Sequence, residues 1–342
     1  MILGAAAAAL LVIYASALNL LLYPLVRATT RSPALAAAEA RARRSLIGLA
    51  LPVALALLAT GRSLNLQLHH PLFSPHAERL RPHACLRLLL AGPDAPWQAR
   101  LFAGLALALV LAALAVAGVG LVRGWREQRR LHRQAQLRDT ATAPSWLASA
   151  RVWEDSTSGL ASARGWRGEV IVHPAIERLF PGAQAAAVLA HEVHHAQRRD
   201  PVLGPLVNAL ALLSALSPGA WLERARWRRD REAACDAYAA QVVSPEAMQE
   251  SLVTAGELAE VLAEISPLAE LDRDLLAHVQ ERRTALEAVL EGRAAAPAQA
   301  SWRGELVLGA ALAVALLALG WWEPVRDSLQ CAAESFLHAL GQ

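Results

Sequence analysis

The stretch "AVLAHEVHHAQRRDP", from Ala187 to Pro201, decides the chemistry and much of the fold that this sequence predicts. It is typical of a helix, because alanine and leucine favour helices and the Asp200-Pro201 pair supplies a stop signal. On a helix, His191 and His195 are four residues apart and lie on one face. Two imidazoles so placed can bind one Zn²⁺ ion at about 2.0–2.1 Å. The run therefore predicts a metal site on an α-helix.

Glu192 completes an HExxH pattern with these two histidines. In this pattern the glutamate acts as a general base on a water molecule, while the metal polarises the scissile carbonyl. The alternative is a polar helix face with solvated histidines, since so short a pattern also occurs by chance. His194, three residues after His191, is either a competing ligand or a neighbouring histidine, and we interpret it as the latter.

A catalytic zinc site needs a third protein ligand, and we find it in "RDREAACDAYAA", Arg229 to Ala240. Glu232 and Asp236 are four residues apart and share a helical face. We predict that Glu232 binds the metal and that Asp236 accepts the free N–H of a ligating histidine. Cys235 points in a different direction from Glu232 on this helix, so we interpret it as a packing residue. Without the HExxH pattern, this acidic pair would more often be a solvated edge.

The composition is 55% hydrophobic and 18% charged, which is typical of a membrane protein, and the net charge of +3 does not favour nucleic-acid binding. Hydropathy predicts four transmembrane helices, at Ile2–Val26, Leu46–Thr60, Leu101–Val122 and Leu306–Trp322. A secretory signal is the alternative for the first, but no basic residue precedes its apolar core. Arginine-rich segments follow the first and third spans, so the positive-inside rule predicts an external N-terminus and a cytoplasmic region at about 123–303.

Between the two motifs, the run Val202–Leu222 has no charged residue and would be a fifth span by hydropathy alone. A crossing there would put the histidine pair and Glu232 on opposite sides of the membrane. Gly204-Pro205 and Ser217-Pro218-Gly219 are breaking points in this run. We therefore predict a re-entrant hairpin or an interfacial helix, which keeps both halves of the site on one side.

Two segments upstream of the motif helix, "ARVWEDS" and "GEVIVHP", read as short strands. An edge strand beside a metal helix can hold an extended substrate backbone by strand addition, although such strands are equally common as framework. The segment from Pro245 to Gly292 reads as helical. Cys85 and Cys331 are both predicted outside, where they form a disulfide or are two unrelated thiols.

These motifs resemble the BlaR/MecR-type integral-membrane zinc metallopeptidases. The resemblance rests on "HEVHHAQRRDP", on "REAACDAYA", and on the position of both between a third and a fourth span. It implies a gluzincin-type catalytic domain that faces the cytoplasm and cleaves itself or a cytoplasmic repressor after an external signal. About twenty residues follow Trp322 and no SxxK acylation motif is present, so a β-lactam-sensing role is not carried over.

We therefore expect a predominantly α membrane protein with a cytoplasmic α+β zincin (gluzincin-like) domain between the third and fourth transmembrane helices. Three regions are predicted: a three-helix membrane region at 1–122 with an external loop at about 61–100, the metallopeptidase domain at 123–303, and a last helix with a short external tail at 304–342.

The expected activity is that of a zinc endopeptidase of a bacterial-type inner membrane, with a protein substrate, contact with the lipid bilayer and no nucleic acid. A sensor or regulator partner and a homo-oligomer stay open. The alternatives are an HtpX-like quality-control protease and a non-catalytic receptor with a structural zinc. Four side chains are candidates for stabilising the oxyanion: His173, Arg228, Arg229 and His278.

Overall fold

The computed structural model describes residues 2–29, 38–69, 97–138, 144–148, 150–156, 160–265, 282 and 286. These residues are mostly helical, as predicted. The helices are α1 (Ile2–Thr29), α2 (Ala38–His69), α3 (Trp97–Gln134), α4 (Ser145–Ala148), α5 (Ile176–Leu179), α6 (Ala183–Gln197), α7 (Asp200–Leu213), α8 (Pro218–Val242) and α9 (Pro245–Ile265). The strands are β1 (Gln136–Leu137), β2 (Val152–Glu154), β3 (Ala161–Arg164) and β4 (Glu169–Val172).

Within the described residues, α1, α2 and α3 are long and apolar enough to cross a membrane, and they contain the first three predicted spans. Helix α2 continues to His69, past the position at about 61 where the external loop is predicted to begin, and the apolar segment that could cross a membrane ends at Gly61. A single glycine, Gly61, does not end the helix, and no proline follows it before His69. The predicted fourth span, the linker before it and the Cys85–Cys331 pair lie outside the described residues.

Helix α3 is longer than a membrane requires. Its 38 residues extend over about 57 Å, whereas the hydrocarbon core of a bilayer is about 30 Å thick. Leucine and valine side chains of its apolar part are exposed, as expected of a surface that faces lipid. The arginine-rich end after Val122 therefore extends beyond the apolar part.

Helix α7 and the start of α8 form a hairpin packed against the three long helices. Val207 of α7 and Ala220 of α8 belong to a buried cluster with Leu49 of α2. At the tip, the Ser217 hydroxyl donates a hydrogen bond of 2.8 Å to the side-chain oxygen of Asn19 in α1. The apolar run therefore turns back at Ser217, and both the re-entrant and the interfacial alternatives stay predictions.

Only one of the two predicted breaking points is a break. The chain turns at Ser217 and α8 begins at Pro218, but α7 continues through Gly204 and Pro205. Pro205 packs against α3 at Gly120, where an added Cβ would lie 2.3 Å from the proline ring. We infer that this close packing offsets the hydrogen bond that proline cannot donate.

The four strands form one mixed sheet in the order β1-β2-β4-β3. Strand β4 is parallel to β2 and antiparallel to β3. The two predicted strands are β2 and β4, which are the interior pair, and neither is an edge. Sequence analysis missed β3, the edge strand that contacts α6, because "ASAR" has neither β-branched nor aromatic residues.

The core lies between the sheet and α6. Val170 and Val172 of β4 are fully buried and pack in one cluster with Leu189 and Val193 of α6. Since α6 carries the HExxH pattern, this cluster sets the position of the histidines relative to the sheet. The α+β zincin arrangement and the three domain boundaries remain predictions.

The turn between β3 and β4 depends on two glycines with left-handed backbones, Gly165 (φ +77°) and Gly168 (φ +68°). A Cβ on Gly168 would lie 2.1 Å from the carbonyl oxygen of Ala196 in α6. A Cβ on Gly165 would lie 3.4 Å from the Cβ of Gln128 in α3. The turn is therefore held between α3 and the end of the motif helix.

Replacing Gly168 with alanine is expected to destabilise the protein by roughly 2–4 kcal/mol, because left-handed strain and a backbone clash act together. Thermal unfolding of the detergent-solubilised chain measures this loss. Gly165→Ala is the matched control, since it introduces left-handed strain in the same turn without the clash. Equal shifts in unfolding temperature for the two variants would contradict the close approach of Gly168 to Ala196.

Candidate metal centre

Three side-chain atoms converge between α6 and α8. The Nε2 atoms of His191 and His195 lie 3.0 Å apart. One carboxylate oxygen of Glu232, Oε2, lies 3.5 Å from each of them. In a tetrahedral zinc site with bonds of about 2.0–2.1 Å, ligand atoms are about 3.3–3.4 Å apart. The structure therefore brings the three predicted ligands together at 3.0–3.5 Å, within about 0.4 Å of the spacing in such a site.

A carboxylate holds the other ring nitrogen of each histidine. Nδ1 of His191 lies 2.9 Å from Asp236 Oδ1, the contact that we predicted. Nδ1 of His195 lies 2.6 Å from Asp200 Oδ2. A carboxylate can only accept, so each Nδ1 donates its proton.

This assignment of protons makes the centre a site for a cation. In the neutral rings, both Nε2 atoms present lone pairs to each other and to the Glu232 carboxylate. Three buried or half-buried acceptors that face one another require a proton or a metal ion among them. Two imidazole nitrogens and one carboxylate oxygen are a donor set that suits Zn²⁺, so the residues present fit the metal.

Sequence analysis missed the role of Asp200, which it interprets as part of a stop signal and of the motif "HEVHHAQRRDP". The residue before it, Arg199, has a left-handed backbone with φ 57° and ψ 35°, and α7 begins directly after it. Asp200, the first residue of α7, is buried beneath the end of α6, with its carboxylate against His195. An acidic residue just past an HExxH helix was the available signal.

A second set of possible ligands includes Cys235. Ligand atoms of His191, His195 and Cys235 lie within 4.8 Å of one another. However, the Cys235 sulfur lies 3.3 Å from Nδ1 of His195, the nitrogen that bonds to Asp200. Burial raises the pKa of the Cys235 thiol to about 11, which keeps it neutral. We therefore favour Glu232, which faces both Nε2 atoms, over Cys235.

Two arginines that sequence analysis did not identify support the carboxylates. Arg282 donates two hydrogen bonds to Asp236, of 2.6 Å and 2.9 Å, and its guanidinium lies 3.8 Å from Glu232. Arg231 donates a bond of 2.6 Å to Oε1 of Glu232. Since Arg231 holds one oxygen of Glu232, the other oxygen stays directed at the histidines.

Three of the four candidates for stabilising the oxyanion are among the described residues, and these three are not part of this cluster. Arg228 and Arg229 are exposed on α8. His173 lies after β4, where its Nδ1 accepts a hydrogen bond from the backbone N–H of Ala175. His278 lies outside the described residues. Helical spacing does not tell which arginine of a dense run faces the site, which is why Arg231 was missed.

The electrostatics of the centre favour positive charge. Burial lowers the pKa of His191, but its bonds to Asp236 and Glu232 outweigh burial and raise it. Burial also lowers the pKa of His195, yet contacts with Cys235, Asp200 and Glu232 raise it well above its ordinary value. Burial raises the pKa of Asp236, but Arg282 and His191 bring it down to about 2. Without a metal, the site therefore retains protons on its histidines.

Zinc affinity is expected to fall as the pH is lowered from about 8 to about 6, because protons compete for the Nε2 atoms of His191 and His195. The sign follows from the raised pKa of both rings, which keeps protons on them at a pH where free histidine is neutral. Titration calorimetry in buffers of different ionisation heat should detect proton release on zinc binding at pH 7. In an Asp236→Asn control, less proton release is expected. Zinc binding without proton release in the unmodified protein would contradict the prediction.

Glu192 lies between the histidines and the edge of the sheet. Its Oε2 accepts a hydrogen bond of 2.6 Å from the backbone N–H of Ala163 in β3. The backbone N–H of His173 donates a hydrogen bond to the carbonyl of Leu160. Every second residue of β3 therefore directs its backbone N–H and C=O toward β4, whereas Ala163 directs its own away from β4. Glu192, the predicted base, therefore accepts a hydrogen bond from an outward-facing backbone N–H of the edge strand.

One known protein family matches the segment that contains this centre. Residues 100–251 match a family described as BlaR1 peptidase M56. The matched segment includes the two histidines, Glu192, Glu232 and Asp236, and it confirms the resemblance drawn from the sequence. A search of the curated proteins and of the solved structures found no match.

Proposed function

Because residues 100–251 belong to the BlaR1 peptidase M56 family, we propose that this membrane-associated metallopeptidase is a zinc endopeptidase in signal-regulated proteolysis. Its substrate would be a cytoplasmic or membrane protein, either a transcriptional repressor or the chain itself. The observation that carries the proposal is the convergence of His191, His195 and Glu232 at distances of 3.0–3.5 Å. Glu192, next to the first of them, is the general base.

Each residue of the centre has a separate task. His191, His195 and Glu232 would hold the metal. A bound Zn²⁺ supplies Lewis acidity, which activates water and polarises the peptide carbonyl. Asp236 and Asp200 hold the two imidazoles in the tautomer that leaves Nε2 free. Glu192 accepts the proton of the attacking water and later donates it to the leaving amine.

The edge strand β3 is a candidate site for the substrate backbone. Ala161 and Ala163 direct their backbone N–H and C=O groups away from β4. An extended peptide can add to such an edge as a further strand. When the substrate strand pairs with β3, the hydrogen bond from the Ala163 N–H to Glu192 would be replaced by one to the substrate.

Contacts between α8 and the long helices support regulation through the membrane. Arg41 of α2 forms an ion pair of 2.8 Å with Asp230, two residues before Glu232. Tyr23 of α1 accepts a hydrogen bond of 2.9 Å from Arg226. A change in the packing of α1 or α2 would therefore reach the helix that carries the third ligand. This feature favours signalling over an HtpX-like quality-control role.

The test is a comparison of new protein N-termini in cells that express the chain or its Glu192→Ala variant. One or a few cleavage products that disappear in the variant would support regulated proteolysis and identify the substrate. Loss of many fragments would favour quality control. If nothing differs although the purified protein contains zinc, the non-catalytic receptor is the better description.

A further inference from the structure

A groove of about 730 Å³ lies between α3 and the β3–β4 turn, away from the metal centre. Its lining combines apolar, aromatic and basic side chains. Those that matter here are Leu121, Val122, Trp125, Arg129, Trp166 and Arg167. We propose that this groove binds the headgroup of an anionic phospholipid. The proposal does not depend on zinc chemistry, and its test measures binding.

The position of the groove on α3 points to the membrane surface. Leu121 and Val122, at one end of the groove, are the last residues of the apolar part of α3. Trp125 and Trp166 follow toward the other end and are 49% and 47% exposed. Tryptophan is enriched where hydrocarbon meets water, because its ring is amphipathic. The groove therefore opens where a lipid headgroup would lie.

The charge of the groove is positive. Arg129 lies over the ring of Trp125, with its guanidinium carbon 3.9 Å from the ring centre. Within the described part of the chain, neither Arg129 nor Arg167 forms an ion pair with a carboxylate. Nearby acidic groups have other partners: Asp155 bonds to Arg130 at 2.7 Å, and Glu127 lies 3.7 Å from Arg164.

His132, the other basic side chain that lines the groove, also has a carboxylate partner. Nε2 of His132, which lines the groove, lies 3.1 Å from the buried carboxylate of Glu169. Among the charged groups that line the groove, the two arginines are thus the ones left to bind an anion. A guanidinium forms two parallel hydrogen bonds with a phosphate, and this makes arginine well suited to such a ligand.

The apolar end of the groove decides which phosphate compound fits. Exposed side chains of α3, including Leu114 and Val119, continue from Leu121 and Val122 along the part that faces lipid. An acyl chain can lie on this surface while its phosphate reaches Arg129 and Arg167. A soluble phosphate compound would use the arginines alone. The volume lies within the range of about 300–1,000 Å³ that is typical of small-molecule sites.

The groove is tested by titrating the purified, delipidated full chain with phosphatidylglycerol and counting bound lipid by native mass spectrometry. The double variant Arg129→Gln/Arg167→Gln is expected to bind about 30-fold more weakly, the loss typical of two arginines beside anionic lipid. Arg123→Gln/Arg126→Gln is the matched control, because both arginines are exposed on α3 but do not line the groove. We expect no more than about a 3-fold change in this control.

The variant Arg129→Lys/Arg167→Lys keeps the charge but loses the paired hydrogen bonds, so its affinity should lie between those of the unmodified chain and of the glutamine variant, which distinguishes lost affinity from misfolding. Three results would overturn the proposal. The first is that phosphatidylcholine binds as tightly as phosphatidylglycerol. The second is that inorganic phosphate displaces the lipid completely, and the third is that the control variant loses as much affinity as the groove variant.

Discussion

A Glu192→Gln variant is expected to lose peptide cleavage by about 10²- to 10⁴-fold, the usual contribution of a general acid or base. Glutamine keeps the size of the side chain and can still accept the hydrogen bond from Ala163, but it cannot take a proton from water. Since Glu192 is not among the predicted ligands, zinc content should stay unchanged. The rate of cleavage and the zinc content of the purified chain are measured together.

A suitable control is Glu246→Gln, which removes an exposed carboxylate in the first turn of α9, outside the metal centre. It should change neither cleavage nor zinc content. If Glu192→Gln cleaves at the normal rate, another group supplies the base. If it loses zinc instead, Glu192 acts as a ligand, and the assignment of roles within the HExxH pattern is wrong.

The second large effect concerns the third ligand. Glu232→Ala is expected to weaken zinc binding by more than about 100-fold, beyond the 10- to 100-fold typical of removing an outer hydrogen-bond partner of a ligand. Cys235→Ala should leave zinc binding nearly unchanged, because its sulfur contacts Nδ1 of His195 and not Nε2. Metal content after dialysis against a competing chelator measures both.

The pair of variants also distinguishes the two possible ligand sets. Zinc lost from Cys235→Ala and kept by Glu232→Ala would assign the site to the thiol. Because Glu232 also bonds to Arg231, folding of each variant is checked by its helical circular dichroism and its elution in size-exclusion chromatography. A Glu232→Ala chain that is folded and free of zinc is the expected result.

The predicted ligands come together because helical periodicity is a local property. Residues four apart on one helix share a face in any fold, so His191 and His195, and separately Glu232 and Asp236, were predictable from spacing. The packing that brings these two helix faces together is part of the tertiary structure, which spacing does not predict. Only the chemical requirement for a third ligand connected them in the sequence.

The missed residues depend on features that spacing does not encode. Asp200 reaches His195 because Arg199 adopts a left-handed backbone, and no pattern in the sequence predicts that conformation for arginine. Arg282 lies 46 residues after Asp236 in the chain and meets it only through tertiary packing. Strand β3 has small residues and lacks a β-strand pattern, although it is the edge next to the base.

Helix α8 connects the tip of the apolar hairpin with the metal centre through one continuous helix. It runs without interruption from Pro218 to Val242, beginning beside Ser217 at the tip of the apolar hairpin. Glu232 lies fifteen residues after Ser217, which corresponds to about 22 Å along the axis. An uninterrupted helix transmits axial displacement with little loss, so a shift of the tip against Asn19 would displace the Glu232 carboxylate by a similar amount. The depth of the hairpin among the apolar helices would then determine whether the third ligand stands in coordination range.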